Sequence, residues 1–196
     1  MPFEPNISKE EIQYLPLYSY DKEVVVIDSK ESYNQIVPEL FLDKILGFDT
    51  ETKPSFKKGV ANLKSVALLQ LSNASKTFLF RLNKYELQPE VIQLLSNKSF
   101  IKVGVSIRDD VKSLRKLQNF EPKGFIELQS IVEAYGIEAF SLRKIAAIVL
   151  DIRISKAQQL SNWEADILTE KQIKYAATDS WISRKIYTKL LNSKKI

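Results

Sequence analysis

The run Ile45-Leu46-Gly47-Phe48-Asp49-Thr50-Glu51 constrains this chain most, because an apolar strand pattern ends in two carboxylates two residues apart. Successive strand side chains alternate faces, so Asp49 and Glu51 emerge on the same side of a sheet. Like charges held that close repel each other and lose hydration unless a cation, a proton or a set of donors lies between them. The spacing reads as half of a metal site. Acids at a strand end are also common as solvated loop residues, so the reading needs partners elsewhere in the chain.

One partner lies near the C-terminus. Thr169-x-x-Gln172 has the form of a capping box and opens a long helical pattern. From there Tyr175, Asp179, Ile182, Ile186 and Leu190 recur at steps of four, three, four and four, which places them on one helix face. Asp179 therefore falls within a stripe turned toward the sheet, where a bare carboxylate is costly or is driven neutral. The bland alternative is an Asp paired with a Lys or Arg at the rim of the stripe.

A third acid comes from Lys102 to Val111, which reads as a short strand running into a helix. Ser106 and Asp109 fit a capping box at the helix start, which gives Asp109 a structural task and leaves Asp110 free to point elsewhere. Acids in a first turn also simply complement the helix dipole.

With 196 residues the chain has the size of one domain. It contains neither Cys nor His. That excludes disulfides, thiolate nucleophiles, Cys/His zinc sites, Ser-His-Asp triads and a histidine base. A ligand set of oxygens alone favours Mg²⁺ or Mn²⁺ over Zn²⁺ or Cu²⁺. No run of about 18 apolar residues and no secretory start is evident, so no membrane partner and a cytoplasmic location are expected. The net charge of +5 is moderate, and placement says more. Lys53, Lys57 and Lys58 follow the first acid pair and Lys156 lies in a polar loop, as they would if phosphates approached a metal. Lys194 and Lys195, at the end of the chain, read as a solvated surface.

Residues 1–22, with Pro2, Pro5 and Pro16, read as an extended arm with little regular structure, and 23–196 as one domain. Strands are expected at Glu23–Asp28, Ile45–Glu51, Ser65–Leu71, Thr77–Leu82 and Phe100–Val105. The turn Ser72–Ser75 makes a hairpin of the third and fourth, and Thr52–Asn62 is expected as a loop. Helices are expected at Ser29–Leu42 with a break or kink at Pro38, and at Pro89–Leu95, Ile107–Leu117, Gln129–Tyr135 and Ser141–Leu150. Strands early and helices later imply an α/β fold with a mixed sheet covered by helices.

Taken in order, Asp49-Thr50-Glu51, the segment ending at Asp110, and Tyr175-Ala176-Ala177-Thr178-Asp179 resemble the DEDD superfamily of 3′ to 5′ exonucleases, in the subgroup whose last motif is Tyr-x-x-x-Asp. Ser65 to Leu71, Ser141-Leu142 and Ser161-Asn162-Trp163 extend the similarity, which runs toward the exonuclease domain of the Werner syndrome protein and then ribonuclease D. The resemblance spans Val24 to Leu191. It implies a ribonuclease H-like fold, with a central mixed β-sheet flanked by α-helices. It also implies Asp49, Glu51, Asp110 and Asp179 around two Mg²⁺ or Mn²⁺ ions, with Asp109 the alternative ligand if the helix starts one residue later. Tyr175, one helical turn from Asp179, would orient the attacking water. The implied partner is nucleic acid with a free 3′ end, DNA favoured and RNA an alternative, releasing nucleoside 5′-monophosphates.

Phe48, Leu69 and Trp163 are candidates for stacking on terminal bases, against a core reading for each. Asn162 is a candidate for a sugar hydroxyl or for shaping its own turn, and Thr50 and Lys53 flank the first motif as further candidate contacts. The rival functions are a non-catalytic nucleic-acid or protein-binding module on the same fold and a phosphohydrolase of free nucleotides.

Overall fold

A computed structural model of the chain describes residues 3–52 and 66–195. The expected loop after Thr52, with Lys53, Lys57 and Lys58, and the first residue of the expected third strand, Ser65, lie outside the described residues.

Six strands form one mixed sheet in the order β1-β4-β3-β2-β5-β6. They are β1 (Glu23–Ile27), β2 (Ile45–Thr52), β3 (Val66–Ser72), β4 (Lys76–Arg81), β5 (Ile101–Gly104) and β6 (Phe125–Glu127). Antiparallel pairing joins β2 to β3 and β3 to β4, and the other neighbours run parallel. The expected hairpin is present: the Asn73 side-chain oxygen accepts from the amides of Ser75 and Lys76, both at 2.8 Å, which fixes the turn.

Helices cover both faces. On one, α2 (Lys30–Ile36), α3 (Pro89–Leu95) and α4 (Ile107–Leu117) pack on Phe48, Leu69, Leu71, Phe78 and Phe80. On the other lie α5 (Leu128–Val132), α6 (Leu142–Leu150) and α7 (Glu170–Leu191). Among the described residues no helix is long and apolar enough to cross a membrane.

Helix α7 bears the expected capping box, with Thr169 and Gln172 each bonding the other's amide. Its stripe faces inward: Ile182, Ile186 and Leu190 are fully buried and Asp179 nearly so. Gly47 on β2 allows the close approach, since a Cβ there would stand 1.8 Å from the Ser180 carbonyl oxygen. A hydroxyl chain then ties the helix to the sheet, Ser180 to Ser72 at 2.7 Å and Ser72 to Thr77 at 2.6 Å.

Two local expectations are corrected, and the choice left open at Pro38 is resolved. The N-terminal arm is not merely extended, because Lys9–Tyr14 forms a helix, α1, closed by a Ser8/Glu11 capping box and anchored through buried Ile12. At Pro38 the expected break is what forms, not the kink: α2 stops at Ile36, and Val37–Glu39 is a single 3₁₀ turn with the proline near its start, where no amide is needed. The helix expected over Gln129–Tyr135 is α5 followed by a 3₁₀ turn, Glu133–Tyr135, which Gly136 closes at φ 74°.

Candidate active site

Strand β2 delivers Asp49 and Glu51 to the face covered by α7, and there Asp179 meets them. One oxygen from each of the three carboxylates lies within 4.8 Å of the others. Thr50 points to the opposite face, where its hydroxyl donates to Asp110 Oδ1 at 2.6 Å. Asp110 thus enters from α4, just behind the three-acid cluster. Asp109 is exposed and outside it.

The expected Ser106/Asp109 capping box does not form. Ser106 sits in the left-handed region at φ 60°, and its side chain makes no cap bond. The helix start is held instead by Glu127 at the end of β6, whose two oxygens accept from the amides of Ser106 at 2.9 Å and Ile107 at 3.0 Å. A carboxylate on the N-terminus of a helix satisfies orphan donors and complements the dipole.

Four carboxylates in one partly buried place raise one another's proton affinity. Asp49 is held well above the ordinary range, first by burial and then by the charges of Asp179, Glu51 and Asp110. Glu51 is pushed up to about 9 by burial and by Asp179 and Asp110. Asp179 rises to about 7 through burial, with Tyr175 and Lys156 acting in the opposite sense. Burial also raises Asp110, against the Thr50 hydrogen bond. Among the described residues no Lys or Arg forms an ion pair with any of the four, so the rim-pair alternative for Asp179 is not what the structure contains.

This donor set fits a hard divalent ion. Every candidate ligand is a carboxylate oxygen, no ion pair neutralises them among the described residues, and oxygens at 2.0–2.6 Å from a shared centre stand no more than about 5 Å apart. Asp49, Glu51 and Asp179 would hold one ion, and Asp110, whose charge reaches Asp49 and Glu51, would share a second.

The acids open into a cleft of about 500 Å³ whose far wall carries Phe140, Ser141, Arg143 and Lys156, with Tyr175 beside Asp179. Burial and the surrounding carboxylates push the Tyr175 phenol far up, so it stays protonated and acts as a donor.

Several expected nucleic-acid contacts are corrected. Phe48 is fully buried, edge-on to Phe125 at 5.2 Å, on the face opposite the acids. Leu69 pairs with Thr50 across the strands and shares that core. Trp163 is fully buried too, and its ring braces that of Tyr175 at 6.0 Å. None of the three offers a face to a base. Asn162 is exposed but shapes its turn, its side-chain oxygen accepting from the Glu164 amide at 3.3 Å and its carbonyl from Gln172 Nε2 at 3.2 Å. Lys53 lies outside the described residues. The sequence reading missed Phe140, 57% exposed at the cleft mouth. Its available signal was a lone aromatic directly before the Ser141 helix cap.

A carboxylate-lined cleft at the strand ends of a helix-covered mixed sheet is the architecture of an acid-dependent nuclease domain. A family model described as a 3′-5′ exonuclease matches residues 24–194, and the chain belongs to that family. It is 34% identical over 154 residues to the mouse bifunctional 3′-5′ exonuclease/ATP-dependent helicase WRN, a match covering 76% of this chain and 11% of that protein. The Aedes aegypti Nibbler EXO domain superposes with a TM-score of 0.77 at 21% identity, covering 89% of this chain and 91% of that one. Escherichia coli RNase D superposes with a TM-score of 0.76 at 18% identity, over 88% of this chain and 45% of that one. These likenesses establish the ribonuclease H-like fold. The chain spans well under half the length of the first curated relatives it matches, between 11% and 40%.

Proposed function

We propose that the chain is a metal-dependent 3′ to 5′ exonuclease that releases nucleoside 5′-monophosphates from a free 3′ end, with DNA the favoured polymer. The observation that carries this reading is the convergence of Asp49, Glu51 and Asp179, unpaired with any Lys or Arg among the described residues, inside a cleft that also holds a protonated Tyr175. Two divalent ions held by these acids and Asp110 would lower the pKa of water and take up charge on the departing 3′ oxygen.

The protein's own residues supply the positioning. The Tyr175 hydroxyl, braced from behind by Trp163, orients water in line with the P–O3′ bond. Oxygen from water joins phosphorus and gives up a proton, the P–O3′ bond breaks, and the departing O3′ takes up a proton to become the 3′ hydroxyl of the shortened strand. Thr50 fixes the rotamer of Asp110. Lys156 faces the acids and offsets the charge of an incoming phosphate. Phe140 offers an aromatic face to the terminal base.

The test is a gel of 5′-labelled single-stranded and recessed-3′ DNA, with matched RNA, incubated with Mg²⁺ or Mn²⁺. Wild type should give a one-nucleotide ladder that needs the metal and disappears in Asp49→Asn. Binding without any shortening would refute catalysis in favour of a binding module. Turnover of free nucleotide esters without a ladder would favour a phosphohydrolase.

A further inference from the structure

Beside the acidic cleft lies a second cavity of about 360 Å³, and Ser155 and Tyr175 line both. A third hollow continues from the second, sharing Ser19 and Lys174 with it. The three concavities thus adjoin in a row, a track that starts at the acids and passes over the N-terminal half of α7.

The outer wall of the track is the N-terminal arm. Residues 15–20 are fixed to the body at several points. The Tyr18 amide donates to the Arg153 carbonyl at 2.9 Å, the Arg153 amide donates to Pro16 O at 3.0 Å, and Arg153 Nε donates to Leu15 O at 2.9 Å. The Tyr20 amide donates to Thr178 Oγ1 at 3.0 Å, and its ring is buried edge-on to Trp181. The arm is therefore a built wall, yet it leaves Leu17 54% exposed over the cavity. It also precedes the family match, which begins at residue 24.

Beyond the acidic cleft, the two outer hollows carry one more positive than negative side chain. Lys171 is exposed and forms no ion pair among the described residues, and Lys174 lies one turn on; Lys22 stands at the far end, over the Trp181 ring. The opposing acids are Glu170, already paired with Lys174 at 2.7 Å, and Asp21.

We propose that this arm-walled track holds the single strand behind the terminal nucleotide, with its phosphates facing Lys171 and Lys174 and a base against Leu17 and Tyr18. The cavity, about 360 Å³ and open on one side, has room for a nucleotide of a single strand. The inference rests on the exonuclease reading of the acidic cleft, because that cleft sets which end of the strand lies where.

The test compares wild type with the Lys171→Glu/Lys174→Glu double variant, both lysines being surface groups of a long helix. Affinity is read by fluorescence anisotropy in EDTA for a labelled dinucleotide and for an oligothymidylate of about eight nucleotides. Hydrolysis of p-nitrophenyl thymidine 5′-monophosphate with Mn²⁺ reports the acidic cleft alone. The expected result is about 10-fold weaker binding of the longer strand and a salt dependence shallower by about 1.4 in log–log slope, with the dinucleotide and the small ester unchanged. Equal effects on long and short strands, or no effect, would overturn the track. If wild type with Mn²⁺ neither shortens the oligothymidylate nor hydrolyses the small ester, the exonuclease reading fails, while the length-dependent binding still decides whether the track exists.

Discussion

Replacing Glu51 by Gln should abolish turnover and at the same time stabilise the metal-free protein. Ordinary Glu titrates near 4.5, whereas Glu51 in the folded protein is pushed up to about 9. The folded state therefore binds more protons than the unfolded state between those values, and stability falls as pH rises through that window. At pH 7 the interval from 4.5, at 1.36 kcal/mol per pH unit, sets an upper bound of about 3 kcal/mol on the penalty that the amide escapes. Solvent screening of a partly exposed group lowers the expected gain to about 1–2 kcal/mol. For a domain of this length that is a rise in Tm of roughly 3–8 °C. Thermal melts in EDTA at pH 5, 7 and 9 check it, with the advantage of the Glu51→Gln variant over wild type close to nothing at pH 5 and growing to pH 9. Adding Mn²⁺ should raise the wild-type Tm far more than that of the variant, since ligand binding to the native state adds stability. A variant that is less stable than wild type at every pH, or whose gain ignores pH, would show that the acids are not straining the empty site.

Other substitutions test other parts of the site. Tyr175→Phe should lower kcat by about 10²-fold while leaving strand affinity in EDTA unchanged, as single-turnover rates and anisotropy would show. Glu127→Ala removes both acceptors at the start of α4; it should cost about 1–2 kcal/mol in urea unfolding and reduce activity by loosening Asp110. Lys102→Met preserves length but withdraws the ammonium that donates to the carbonyls of Leu94, Asn97, Phe100 and Lys123, and should destabilise by about 1–3 kcal/mol, the buried acceptors losing their partner. Phe140→Ala should raise KM for oligonucleotides several-fold with little change in Tm.

The acids were legible because their placement follows from local periodicity. Strand alternation put Asp49 and Glu51 together, and a capped amphipathic helix turned Asp179 toward them. The same alternation argues against Phe48 and Leu69 as base contacts, since Phe48 follows the opposite parity from Asp49 and Leu69 pairs with Thr50. Trp163 could not be placed that way, because a tryptophan in an irregular loop carries no period. Asp110 meets the Thr50 hydroxyl, but the reason given for its freedom does not hold: the helix cap comes from Glu127, 21 residues from Ser106, and long-range partners leave no local trace. The arm helix was hidden by the prolines around it, although Ser8 and Glu11 carry a readable capping box.

The contact at Gly47 has a mechanical meaning. The gap between the strand acids and Asp179 is set where one backbone rests on another, with no side chain in between to act as a compressible spacer. Core side chains elsewhere can repack by rotamer change, but this junction has no such freedom. The spacing of the carboxylates should therefore be insensitive to ordinary core substitutions, and it should respond sharply to a single added methyl at position 47, which would wedge the helix outward and pull Asp179 from Asp49 and Glu51.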